Sequence, residues 1–393
     1  MSLLRRTVSP PEGNVNLAFG GVTLPYNSRT MPRIEDLELL RTIGDPLADN
    51  SLDVLLRRSH SGDPASMAKG GCPAGNMVQA LMARVGEITR LENPLQPGPE
   101  FSITDVLSKC TDEDDRAILA MWESVSTVPT WLDWELLERG QDASHRYAPL
   151  LLYILAMGSL ATGYASSVID QTLAATGYLS SSSRSSVMRR LAETGHMTVL
   201  MARGVKAMNV GGCGWKAVIN VRYLHAMVRR RIMAKSPAFA SQYGIPVNQT
   251  DMVSTLFAFT SSVVVHLETF GVPMSDEHSR GYLHLWAYAG HLLGVRTDLN
   301  YLIPVDALTQ AIAAAKRAGS PAPGAITPNP ILATDPLAFG HVLGTALREH
   351  LFFPSDMTKE LTCRLLDGIS DQFPFNIPLS RLQTVLYHLK HER

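Results

Sequence analysis

Cysteine is scarce in this 393-residue chain: there are four, Cys72, Cys110, Cys213 and Cys363, with no Cys-x-x-Cys pair among them. That spacing excludes a disulfide scaffold and a structural zinc site. Neither sign of charge is in excess. Thirty-five basic residues against 36 acidic ones leave a formal charge of −1, so no basic field draws the chain to nucleic acid or to an anionic membrane. Long apolar runs are missing too. The longest, Ala148 to Ala161, is interrupted by Gly158 and Ser159 and falls short of the ~20 residues that a membrane span needs. No apolar segment follows Arg5 and Arg6, which is not the pattern of a signal peptide, and the cytoplasm is the expected compartment. Alternation at period two and internal repeats are not in evidence, so strands are not expected.

What the chain does have is helical periodicity nearly throughout, and the expected fold is all-α. Residues 1–33, rich in Pro, Gly and Asn, are expected to form an extended N-terminal arm, with one helical domain over 34–393. The sequence predicts a capped helix from Asn76 to Leu91 and two short helices within Ser102 to Val125. A helix ending at Gly140 should follow, then long helices over Ala143–Ala175 and Arg184–Val205. Further helices are expected over Thr250–Phe270, Ser275–Gly294 and Val305–Arg317, with three closing helices near 335–351, 356–370 and 379–391. Asn248-Gln-Thr250 fits a glycosylation sequon but equally a helix cap, the reading preferred here. Gly211-Gly-Cys-Gly214 lacks both a preceding strand and a Lys-Ser/Thr pair, so it is no phosphate loop. Cys72-Pro73 could present a haem thiolate, but a lone Cys-Pro is usually a turn.

The stretch with the most chemistry is Gly214 to Ile232. At helical period Val218, Arg222, His225 and Arg229 form one ridge, flanked by Val221, Leu224 and Val228. A histidine between two arginines has a bland reading, a core imidazole bonded to a carbonyl with solvated arginines. It also has a sharper one, an iron ligand whose arginines receive carboxylates such as haem propionates.

A family resemblance bears on that choice. Trp131-Leu-Asp-Trp134 with Arg139-Gly140, Gly158-Ser159 and Arg190-Leu-Ala-Glu-Thr194 occur in one order. Arg222-Tyr-Leu-His225-Ala-Met-Val-Arg229, Ile245-Pro-Val-Asn-Gln-Thr-Asp251, Tyr282-Leu-His-Leu-Trp286 and His291-Leu-Leu-Gly-Val295 follow. This pattern resembles the latex clearing protein (rubber oxygenase) and MpaB-type oxygenase family over about 128–304. The resemblance implies a globin-like helical core with additional N- and C-terminal helices, a haem b cofactor and dioxygen as co-substrate. It implies His225 as the iron ligand, Arg222 and Arg229 as its flanking arginines, and His284 and His291 as histidines of the cofactor pocket. Arg190 and Thr194 match distal-side residues. Three departures stand out. Glu193 replaces a distal lysine, a catalytic glutamate falls at Ile169 with Asp170 as the nearest carboxylate, and another histidine becomes Phe257.

The expected function is a haem-dependent oxygenase, an oxidoreductase acting on a lipophilic, unsaturated small molecule of terpenoid or polyketide type, by C=C cleavage among other routes. Two rivals remain. One is a non-catalytic helical carrier of lipids or terpenoids. The other is a non-haem iron oxygenase, suggested by Glu193-Thr-Gly-His196, although a di-iron bundle needs a second Glu-x-x-His and the chain has none.

Overall fold

A computed structural model describes residues 15–19, 22–26, 39–59, 77–155, 167–176 and 184–300, with scattered positions to 317. The three closing helices expected from the sequence, and the Cys72-Pro73 loop, lie outside the described residues.

The N-terminal arm contains a surprise. Val15–Phe19 (β1) and Val22–Tyr26 (β2) pair as an antiparallel hairpin, Val15 opposite Tyr26 and Phe19 opposite Val22. This corrects the expectation of a strand-free arm. The signal was there, since Val-Asn-Leu-Ala-Phe and Val-Thr-Leu-Pro-Tyr alternate on either side of Gly20-Gly21, a combination that favours a tight hairpin. It is the one sheet among the described residues, and the body of the chain is all-α.

The helices follow from local chemistry where caps decide them. Those before the core are α1 (Pro46–Ser59), α2 (Met77–Thr89), α3 (Ile103–Lys109) and α4 (Glu113–Ser126). Ser102 accepts from the Asp105 amide and Asp112 from the Asp115 amide, each satisfying an orphan donor of a first turn. Next come α5 (Trp134–Arg146) and α6 (Ala148–Ile154). Gly140 does not end α5 as expected. It sits mid-helix because a Cβ there would overlap the Gly281 carbonyl, so its role is close packing. The break comes at Tyr147, with Pro149 in the first turn of α6, where its missing N–H costs nothing.

Beyond lie α7 (Ser167–Ala175), α8 (Arg184–Met201) and the short α9 (Val205–Met208). Then follow α10 (Cys213–Lys235), α11 (Phe239–Tyr243), α12 (Gln249–Phe259), α13 (Ser261–Thr269) and α14 (Asp276–Leu293). The single helix expected over Thr250–Phe270 is two, separated at Thr260 (φ −122°, ψ −95°), whose hydroxyl donates to the Leu256 carbonyl. Asn248 is a helix cap, in a reciprocal box with Asp251. Gly294 ends α14 in the left-handed conformation.

α10 and α14 form the core. α10 buries Trp215, Val218, Ile219, Tyr223, Ala226 and Ile232 and packs on α1, α2, α8 and α14. Trp215 meets Trp122 edge-on with centroids 6.0 Å apart, and its indole N–H donates to the Val125 carbonyl at 2.9 Å. α14 is buried almost continuously from Gly281 to Gly290, as a helix enclosed by others must be, and lies along α5. No helix among the described residues is long and apolar enough to cross a membrane.

Gly140→Ala should therefore force α5 and α14 apart, lowering stability by about 1–3 kcal/mol, read as a fall in the denaturation midpoint. The same change at the exposed Ser108 should leave the midpoint where it is.

Candidate functional site

The ridge expected on α10 exists, and its surroundings are more polar than the sequence suggests. Arg222 is 3% exposed and Arg229 4%, so neither lies in solvent. Arg222 grips Asp45 with two parallel bonds, Nε to Oδ2 at 2.7 Å and Nη2 to Oδ1 at 3.0 Å. Its Nη1 also reaches Ser124 Oγ at 3.3 Å and the Leu292 carbonyl at 3.5 Å. Arg229 donates from Nε to both oxygens of Asp49, at 2.9 and 3.0 Å, and from Nη1 to the Val247 carbonyl at 3.2 Å. Both arginines are thus committed to carboxylates of this chain rather than held out for those of a ligand.

The two carboxylates differ. Burial works to raise the Asp45 pKa, but the charge and hydrogen bonds of Arg222, with the charge of Arg229, hold it below the usual range. At Asp49 burial prevails over Arg229, and the carboxyl is raised. Asp45 precedes Pro46 and also accepts from the Ala48 amide at 3.3 Å, capping the helix that it tethers.

His225 lies between the two arginines on the same ridge, half-buried, with Nδ1 enclosed by protein. α8 packs along α10 and carries Arg190, Glu193 and Thr194, the positions that the resemblance assigns to the distal side. Glu193 is exposed there and Thr194 half-buried. Arg190 belongs to the same helix and Asp170 to α7, but both side chains lie outside the described residues.

His284 and His291 stand on α14 on either side of Trp131, with ring centroids 5.8 and 6.2 Å from it, both edge-on. His284 is buried, and its Nε2 accepts from the Asp133 amide at 2.9 Å. Burial lowers its pKa against the pull of Asp133, so the ring is neutral and fastens the start of α5 to α14. His291 stacks on Tyr288 and bonds the Ser124 backbone; burial, then the Arg222 charge, push it down to about 4. Its Nε2 is buried without a hydrogen-bond partner. It lines an open cavity of about 380 Å³ with Ser124, Thr127, Thr130, Trp131 and Thr297. Ser124 links this cavity to Arg222, and thus to the ridge.

Sequence reasoning missed Asp45, Asp49 and Ser124. A weak signal existed, because Asp45 and Asp49 are one turn apart around Pro46, but their partners are 177 and 180 residues away. It also missed Asp251. This residue is buried near Arg41, and burial, partly offset by the Arg41 charge, raises its carboxyl to about 6.

A family model described as "ER-bound oxygenase mpaB/B'/Rubber oxygenase, catalytic domain" matches residues 145–366. The curated protein named Rubber oxygenase, from Streptomyces sp. (strain K30), is 27% identical over 179 residues. That stretch is 45% of this chain and 42% of the relative, so the match spans under half of the relative's length. A solved structure of latex clearing protein in its closed state superposes loosely, with a TM-score of 0.43 and 18% identity. That superposition covers 89% of this chain and 88% of the other.

Two outcomes follow from the buried charges. Arg222→Met leaves Asp45 buried and unpaired and should cost about 3–5 kcal/mol, much of it recovered when Asp45 is also made apolar; a double-mutant denaturation cycle measures this. Asp251 has a folded pKa above its unfolded one. Its ionisation therefore opposes folding: stability falls as pH rises from about 4, the unfolded pKa, to about 6 and is level above. Asp251→Asn should flatten that segment of the stability–pH curve by roughly 2–3 kcal/mol.

Proposed function

This chain belongs to the mpaB/rubber oxygenase catalytic-domain family, whose model matches more than half of it, and from that premise we propose a haem b-dependent oxygenase. It uses dioxygen and acts on a lipophilic, unsaturated small molecule of terpenoid or polyketide type. The observation that carries the cofactor assignment is the donor set. Among the described residues no three His, Cys, Asp or Glu side chains gather to hold a bare ion. What α10 offers instead is one half-buried imidazole between two arginines whose charges are already balanced. That suits a cofactor that would bring most of its iron's donors itself and ask the protein for one.

His225 is assigned as the residue whose imidazole would hold the haem iron. Haem held there would supply activation of dioxygen. The protein's own contributions are positioning and proton handling. Arg222 and Arg229 hold the His225 helix through Asp45 and Asp49, and His284 fixes α14 to α5. Arg190 and Thr194 are assigned hydrogen-bond donation to the co-substrate. Glu193 and Asp170 are assigned proton transfer at the substrate, the role a carboxylate plays beside a double bond. His291 lines the adjoining cavity as a neutral acceptor. The lipophilic, unsaturated character of the substrate is taken from the relative whose name is rubber oxygenase, and its smaller terpenoid or polyketide type is this proposal's own step.

An absorption spectrum of the purified protein with a pyridine haemochrome assay tests the cofactor. His225→Ala should purify nearly free of haem, while His278→Ala, in the first turn of α14 and edge-on to Tyr147, should keep it. Full haem occupancy with an unchanged Soret band in His225→Ala would remove His225 from the assignment. Iron without haem in the unaltered protein would favour a non-haem oxygenase, and neither iron nor haem a lipid carrier.

A further inference from the structure

A polar seam runs between α1, with Asp45 just before it, and α10. Asp45 holds Arg222 and Asp49 holds Arg229 in the buried part. Ser51 and Tyr223 share a hydroxyl–hydroxyl bond of 2.6 Å between them, and Asp53 pairs with Arg230 at the exposed margin. Buried ion pairs are a poor way to gain stability, because desolvating both charges offsets most of their attraction. What they do supply is direction, since a bidentate guanidinium–carboxylate bond fixes both separation and plane.

The spacing decides what is being directed. Asp45 and Asp49 are four residues apart, about 6 Å along α1, whereas Arg222 and Arg229 are seven apart, about 10.5 Å along α10. The bonds brace α10 at two levels, one turn below His225 and one turn above it. A single pair would let the helix pivot; two pairs on either side of the imidazole block both sliding and rotation. The backbone makes room for this. A Cβ on Gly294 (φ +89°) would lie 2.5 Å from Asp45 Oδ2 and 2.8 Å from Arg222 Nε, and one on Gly44 would lie 3.4 Å from Arg229 Cδ. The 41–49 segment is itself laced to the loop after α11. The Ile245 amide donates to the Arg41 carbonyl and the Gln249 amide to the Ile43 carbonyl, each at 2.9 Å. Gln249 Nε2 donates to the Gly44 carbonyl at 3.1 Å and to the Gly294 carbonyl at 3.0 Å. Asp45 and Asp49 are thus held from behind as well, and both lie outside the stretch that the family model matches.

We propose that Asp45 and Asp49 are positioning residues for the site: a two-point clamp, contributed by the N-terminal segment, that fixes the rotation of α10 and hence the aim of the His225 imidazole. This rests on the reading of His225 as the axial ligand, and the test separates the two.

Asp49→Asn keeps the shape of the side chain and removes its charge. Because Asp49 is the more exposed member of its pair, this variant tests the clamp with the chain folded. Asp45→Asn is the companion, Asp49→Glu the conservative rescue and Asp53→Asn, in the exposed Arg230 pair, the control. In the full-length haem-loaded protein the readouts are the rate of haem transfer to haem-free myoglobin and the ferric Soret band. Loss of one charge-assisted contact should speed transfer about tenfold and move the band in Asp49→Asn and Asp45→Asn. Asp53→Asn should match wild type, and Asp49→Glu should regain most of the difference.

Wild-type transfer rates and spectra in both asparagine variants, with only the melting temperature lowered, would overturn the clamp and leave two ordinary ion pairs. Hydrogen–deuterium exchange, which needs no cofactor, judges it independently. Faster exchange confined to 219–230 of α10, with α2 and α14 unchanged, supports the clamp, and a uniform increase across the chain overturns it. If the wild-type protein holds no haem, the oxygenase reading fails while the exchange experiment still decides whether Asp45 and Asp49 set the helix.

Discussion

The bidentate bond between Arg222 and Asp45 is the constraint on which the rest of the arrangement depends. A guanidinium 3% exposed has lost its water, and only a carboxylate on the same molecule, in the right plane, makes that tolerable. Satisfying it brings the start of α1, the middle of α10 and the end of α14 to one point. Gly294 must then be glycine, for reasons of both space and backbone conformation. Ser124 and the Leu292 carbonyl take donors of Nη1, tying in α4. The helix that carries His225 is thereby fixed to three others by polar contacts inside an otherwise apolar core.

The histidines show how one residue type is put to separate uses by its surroundings. His284 is neutral and already engaged by the Asp133 amide, so its ring acts as a joint between helices. His291 is neutral as well, kept so first by burial and then by the Arg222 charge. The arginine that anchors α10 thus adds to the effect of burial on a residue lining the neighbouring cavity. His225 is half-buried between Arg222 and Arg229, each of which is already paired with an aspartate.

What could be read from the sequence was whatever short-range chemistry decides. Ser102, Asp112, Asn248 and Ser275 each cap the helix that follows them, and the Val218/Arg222/His225/Arg229 ridge needed only the helical period. Features set by distant contacts were misread. Gly140 looked like a helix end because glycine usually is one, whereas its partner Gly281 is 141 positions on in the chain. Thr260 gave no local warning of the break between α12 and α13. The arginines looked solvated or reserved for a ligand because the two aspartates that receive them precede them by well over a hundred residues. The hairpin is the exception, a local signal passed over in a segment whose Pro and Gly content suggested only an arm.

The crossing of α5 over α14 at Gly140 and Gly281 has an implication for how this chain can change over time. At most helix contacts a larger side chain on one partner is accommodated by a smaller one opposite. Here both positions already carry the smallest residue, and each hydrogen stands against the other's backbone. No compensating substitution exists. Drift is closed at this pair, and variation in the surrounding core has to proceed around a fixed point.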